Sequence, residues 1–168
     1  KVCKLARDNG AEVKAYILLK PPYLSEKESI DDAVKSAIDA APHVDKISIN
    51  PVNVQKNTVV EKLWFRNEWT APWLWSVVDV LKKCEDLPIR VYSDPTGGGT
   101  RRGAHNCHDC NKKILEALKN HRLGIGELKG LHCSCKSRWN TLVKQSKLRR
   151  NGSEPHGYRS GFAGSRHF

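Results

Sequence analysis

The sequence predicts an α/β fold, a βαβαβ unit followed by a cysteine-rich appendage and a basic tail. Three observations carry this. Short apolar runs of strand length at Val13–Leu19, Lys46–Ile49 and Ile89–Tyr92 are separated by helical stretches long enough for parallel crossovers. Four cysteines then follow in two tight pairs, Cys107-x-x-Cys110 and Cys133-x-Cys135. From Lys136 onward eight Lys or Arg are opposed by Glu154 alone. These features divide the chain into a βαβαβ half-barrel or small open sheet over 1–104, a Cys-rich metal-binding and helical appendage over 105–150, and a flexible basic tail over 151–168.

Lys1–Asn9 reads as the end of a helix stopped by Gly10. Val13–Leu19, apolar apart from Lys14, reads as a strand buried on both faces, and Lys20-Pro21-Pro22 ends it. Ser25-Glu26-Lys27-Glu28 is a capping box. The helix it opens carries Ile30, Ala33, Val34, Ala37, Ile38 and Ala41 on one face and is closed by Pro42. After the second strand, Asn50–Gln55 is a polar loop. Thr58–Arg66 reads as a short helix. Pro72 sits where a first helical turn tolerates it, and Leu74, Val77, Val78 and Leu81 form the inner face of the next helix. Trp64, Trp69, Trp73 and Trp75 fall in this region, for packing of the two helices on each other or for base stacking. Beyond Cys110, Ile114, Leu115 and Leu118 predict a helix to about His121, and Trp139, Leu142 and Val143 predict a last one.

Composition narrows the function. The formal net charge is +11, which favours a polyanionic partner such as nucleic acid over charge that serves solubility alone. The sequence has no apolar run long enough for a membrane span and no signal-peptide core at its start, so a cytoplasmic protein without a membrane partner is expected. In a reducing compartment six cysteines suit metal ligands or free thiols better than disulfides. Cys3 and Cys84 read as small core residues. Methionine is absent even from position 1, which suits a fragment or a processed product.

In a parallel sheet a ligand sits beyond the carboxyl ends of the strands. That rule selects Lys20, Asn50, Asn53, Gln55, Asp94 and Thr96 as residues lining a cofactor or substrate site. The cysteine quartet suits tetrahedral zinc and equally a [4Fe–4S] cluster, since spacing alone does not choose. His105, His108 and His132 are near enough in sequence to replace one thiol, and unligated thiols or a redox pair are the alternatives to a metal. Gly97–Gly103 follows a strand and carries Arg101 and Arg102, a combination that suits an anion contact. Lys147, Arg149 and Arg150 are the further candidates for RNA contact. Neither a Ser/His/Asp order, nor paired catalytic carboxylates, nor HExxH occurs, so hydrolysis by those routes is not expected.

Taken together, the segments containing KPP, NPVNVQKNTVVEKLW, APWLW and DPTGGGTRRGAHNCHDC resemble the archaeal radical SAM family related to archaeosine synthesis, over roughly Val13–Cys135. The resemblance implies a partial (βα)6-type barrel, a [4Fe–4S] cluster with S-adenosylmethionine, and conversion of a lysine-modified 7-deazaguanine in tRNA to archaeosine by radical cleavage. It would place Lys20, Asn50, Asn53 and Asp94 at the barrel mouth, and Cys107, Cys110, Cys133 and Cys135 at a metal site. One departure is large. The CxxxCxxC spacing that holds the family's radical-generating cluster does not occur in this sequence. The expectation is therefore a carboxyl-terminal half, or a subunit, completed by an amino-terminal half-barrel chain or by self-association. S-adenosylmethionine would bind only after that completion. A non-catalytic RNA-binding module with a structural zinc is the alternative, and an interaction subunit without a nucleic-acid role the third.

Overall fold

The computed structural model describes residues 2–148. Arg149, Arg150 and the predicted tail lie outside the described residues, as do the side chains of 146–148, Lys147 among them. The elements are α1 (Val2–Asp8), β1 (Lys14–Leu19), α2 (Glu26–Ala40), β2 (Lys46–Pro51), α3 (Val59–Phe65), α4 (Leu74–Lys83), β3 (Arg90–Ser93), α5 (His108–Leu123) and α6 (Lys136–Leu148). The strands form one parallel sheet in the order β1-β2-β3, with Ile17 beside Ile49 and Ile49 beside Ser93. This is a mixed α/β fold with a small parallel sheet.

Local chemistry sets most element ends where the sequence put them. Ser25 Oγ accepts the Glu28 N–H while the Glu28 carboxylate accepts the Ser25 N–H at 2.9 Å, so the capping box starts α2. Thr58 Oγ1 caps α3 by accepting the Glu61 N–H. Pro72 lies just ahead of the α4 N-cap, Trp73, rather than inside the first turn. Ile30, Ala33 and Ala37 are fully buried, whereas Ile38 falls off the stripe and is half exposed. Cys84 is buried, but Cys3 sits half-buried on α1, a helix that buries no side chain, so it is not a core residue.

Two expectations are corrected by how the helices lie. The β1 strand is not buried on both faces. Ala15, Ile17 and Leu19 point to the side covered by α2, while Tyr16 and Leu18 are 64% and 54% exposed on the other. Lys14 Nζ sits over the rings of Tyr16 and Tyr92 on that open face, at 4.3 and 5.0 Å. Nor do the tryptophans pack α3 on α4. Trp69 joins Val54, Leu63 and Ala71 in a small separate cluster, whereas Trp75 enters the main core. The reason is that α3 packs on the loop leaving β2, which claims its apolar side.

That main core runs from the sheet into the appendage: Ile47 and Ile49 share it with Ile114, Leu118 and Trp139. At its polar centre is the Glu26 carboxylate, 1% exposed, which is ion-paired with Lys20 Nζ at 2.6 Å and accepts from Ser76 Oγ at 2.6 Å and the Trp73 N–H at 2.8 Å. Lys20 also donates to Thr70 Oγ1, and Trp139 Nε1 donates to Ser76 Oγ at 2.8 Å. One carboxylate thus ties the end of β1 to α2, α4 and α6. A buried pair with supporting hydrogen bonds is tolerated, but removing one partner leaves an uncompensated charge. Glu26→Ala is expected to cost about 3–5 kcal/mol in urea unfolding. Glu26→Gln, which keeps two of the acceptor contacts, should cost less.

Candidate metal centre and strand-end cleft

Cys107 is the N-cap of α5, Cys110 lies in its first turn, and Cys133 and Cys135 lie in the turn that leads directly into α6. Two helix starts therefore converge on four sulfurs, and their backbone N–H dipoles favour negative thiolates. The Sγ separations are 3.6 Å for Cys107–Cys110, 3.5 Å for Cys107–Cys133 and 3.6 Å for Cys110–Cys135. All four sulfurs lie within 4.8 Å of one another, close enough to hold one metal ion. The histidines take no part. His105 Nδ1 is 2.9 Å from the Gly103 carbonyl, and His108 is fully exposed beside Asp109.

The site is uneven in charge. The Cys135 backbone N–H and the neighbouring Cys107 thiol bring Cys133 down to about 7. Burial and the adjoining thiols push Cys110 up to about 12. Two residues that sequence spacing did not single out complete the surroundings. Trp75 Nε1 donates to Cys135 Sγ at 3.3 Å, and the buried Asn106 amide lies beside Cys110 and favours its thiolate. Asn106 Oδ1 in turn accepts the Trp75 backbone N–H. Such partners orient metal ligands and raise affinity. No motif marks Trp75, since its approach depends on α4 packing against the start of α6. Asn106 had a hint in its position next to Cys107.

The strand-end set separates into two. Asn50, Asn53, Gln55, Asp94 and Thr96 line one cleft of about 390 Å³, with Leu18, Pro51 and Val52. Gln55 Nε2 donates to Asn53 Oδ1, Asn53 Nδ2 donates to the Thr96 carbonyl, and Asp94 pairs with Arg122 at 3.1 Å. Lys20 is not with them. Its left-handed backbone, φ 62°, redirects the chain, and its ammonium goes to Glu26.

The glycine-rich turn after β3 is also spoken for. Four of its N–H groups donate internally: Gly98 to Pro95, Gly99 to Ala104, Thr100 to Gly97 and Gly103 to Thr100. A Cβ on Gly103 would meet the Gly97 carbonyl oxygen at 2.2 Å, so close packing of the turn on itself requires glycine there. Arg102 stacks on Trp64 and binds Glu61 at 2.8 Å, holding that carboxyl below its usual range. Arg101 alone of the two arginines is exposed and has no ion pair among the described residues. The turn is a packed connection rather than an open anion cradle.

Thiolates, not thiols, are alkylated. In chelator-treated protein at pH 7, iodoacetamide should label Cys133 well before Cys110, and Cys133 labelling should fall with each pH unit below about 7. Peptide mass spectrometry reads both. With metal bound, Trp75→Phe should weaken affinity by about 10-fold in chelator competition, through loss of the N–H donor alone.

No helix among the described residues is long and apolar enough to cross a membrane. No family model matches the chain. It is 39% identical over 145 residues to the archaeosine synthase subunit beta of Methanosarcina acetivorans, covering 83% of this chain and 41% of that protein. With the archaeosine synthase subunit beta of Thermococcus kodakarensis it shares 39% over 153 residues, 88% of this chain and 47% of the other. An uncharacterised protein of Methanocaldococcus jannaschii is 34% identical over 151 residues, 86% and 41% of the two chains. The match thus spans less than half the length of these relatives. Over most of its own length the chain is homologous to proteins named archaeosine synthase subunit beta.

Proposed function

We propose that this chain is the carboxyl-terminal part of a radical SAM tRNA-modifying enzyme that forms archaeosine from a lysine-modified 7-deazaguanine in tRNA. The observation that carries the reading is the strand-end cleft. Five polar residues, from the end of β2 and the loops after β2 and β3, meet at the carboxyl ends of a parallel sheet, in a chain 39% identical over 145–153 residues to archaeosine synthase beta subunits. The same sheet leaves Tyr16, Leu18 and Tyr92 on a face that no helix covers among the described residues. Such a face, with free edges on β1 and β3, suits the interior wall of a (βα)6-type barrel whose other strands come from the amino-terminal half.

The residues present do not fit the radical-generating cluster. No CxxxCxxC spacing occurs, and the quartet is too compact to give each thiolate its own iron. The chemistry of radical initiation therefore belongs to the completing half. This chain's part is to line the cleft. Asn50, Asn53, Gln55 and Thr96 offer amide and hydroxyl donors and acceptors suited to a nucleoside-like ligand, S-adenosylmethionine or the modified base, and Asp94 adds a carboxylate held by Arg122.

The quartet itself we read as a single tetrahedral zinc. Ligands about 2.3 Å from one ion stand about 3.8 Å apart, close to the 3.5–3.6 Å measured. Four thiolates fill such a site, leaving no open position, which marks it as structural: it clamps α5 to α6. A closed zinc site also favours the second reading, a non-catalytic RNA-binding module.

The test is co-expression of this chain with a segment bearing CxxxCxxC, followed by nucleoside analysis of tRNA. Archaeosine should form, and Asn53→Ala should reduce it by at least about 10-fold while zinc content is unchanged. No archaeosine from the joined halves would favour the binding-module reading. Anaerobically purified chain should hold about one zinc and no sulfide. Four irons with sulfide would overturn the zinc assignment.

A further inference from the structure

The positive charge of this protein is not spread evenly. Residues 1–104 carry 16 Lys or Arg against 14 Asp or Glu, whereas residues 105–150 carry 11 against three. Helix α6 contains no acidic residue at all. Within this stretch Arg122 is paired with Asp94, and Lys129 with Glu85 and Glu127. By contrast, Lys112, Lys113, Lys119, Arg138 and Lys144 are exposed and form no ion pair among the described residues.

Their placement follows from burial. On α5 the inner stripe is Cys110, Ile114 and Leu118, which leaves Lys112, Lys113 and Lys119 toward solvent. On α6 the inner residue is Trp139, which leaves Arg138, Asn140, Thr141 and Lys144 outward. The cysteine quartet brings the starts of the two helices together, so Lys112, Lys113 and Arg138 lie within about a turn of the same four sulfurs. Between the cations stand hydroxyl and amide groups, the exposed Ser134, Ser137, Asn140 and Thr141. Neither helix exposes a Phe, Tyr or Trp among the described residues, and His108 at the start of α5 is their one exposed imidazole.

We propose that the outer surface of α5 and α6, around the cysteine centre, is a docking face for the sugar–phosphate backbone of a structured RNA. Unpaired cations interleaved with short hydrogen-bonding side chains are the groups that contact phosphate and ribose, and they position an RNA without reading its sequence. With no exposed Phe, Tyr or Trp, this face favours backbone contacts over base stacking, which separates it from the strand-end cleft where a base would be chosen. An acidic protein is the competing occupant. The proposal rests on the tRNA-modification reading for the identity of the RNA, though not for the existence of the face.

The experiment is tRNA binding by the full chain, followed by fluorescence anisotropy across a salt series, for wild type and for K112E/R138E/K144E. Each phosphate contact contributes about 0.9 to the slope of log affinity against log salt. The triple variant should therefore bind at least about 10-fold more weakly, with a slope reduced by about 2–3, and lose affinity equally for tRNA sequences that differ at the modified base. Zinc content and melting temperature must match wild type. If they do not, K112Q/R138Q/K144Q replaces the variant and the same slope is read. Wild-type affinity and slope in the variant overturn the proposal. So does loss of a co-purifying acidic protein with tRNA binding intact. The two readings fail separately. Archaeosine formation unaffected by the variant at limiting tRNA would remove the face alone, whereas salt-dependent RNA binding through the face without archaeosine formation would remove the tRNA-modification reading alone.

Discussion

The Glu26 carboxylate is the interaction on which the architecture depends. It is buried where four elements meet, and its contacts reach the other three: Lys20 at the end of β1, Trp73 and Ser76 at the start of α4, and through Ser76 the indole of Trp139 on α6. A buried charge is stable only when its partners are held in place, so the geometry of these elements and the ion pair support each other. The arrangement also explains why a lysine at a strand end is absent from the cleft its neighbours line. Lys20 serves the scaffold that holds the strand ends in position.

Two sites are built on this frame, and they differ in kind. The cleft is lined by side chains from the end of β2 and two loops, tied to one another and to Ser48 and Arg122, with amide and hydroxyl groups facing a space of about 390 Å³. Such a site can exchange those internal bonds for bonds to a ligand. The cysteine centre is the reverse. Its four sulfurs are close enough to be filled by one ion, and Trp75 and Asn106 already point polar groups at them. A filled, braced site holds structure together and leaves little room for substrate. The helices it joins are also the most basic part of the sequence.

The open face of the sheet connects these features to the relatives. Tyr16 and Leu18 are large apolar groups facing solvent on a strand that is an edge of the sheet among the described residues, an arrangement that invites another surface. The matched relatives are more than twice as long as the stretch they share with this chain. A covering segment is therefore a physical expectation of the fold as well as of the similarity. Lys14, held over Tyr16 and Tyr92, and Arg90, 6.0 Å from the Tyr92 ring centre, supply the charges stacked on that face among the described residues.

The sequence by itself determined what depends on local spacing. The capping box, the stripe of Ile30, Ala33 and Ala37, the three strand-length runs and the two cysteine pairs all act over a few residues, and each appears where the pattern placed it. Of the six strand-end residues, five meet in one cleft because a parallel sheet places all its strand ends on one side. Only the tertiary structure decided the rest. Whether β1 is covered on one face or two depends on where distant helices pack, and periodicity within a strand cannot report it. The fates of Lys20 and Arg102 were decided by Glu26 and Glu61, and the role of Trp75 by Cys135, 60 residues away. A long-range partner leaves no mark in the local sequence, because the contact is created by the fold that brings the two side chains together.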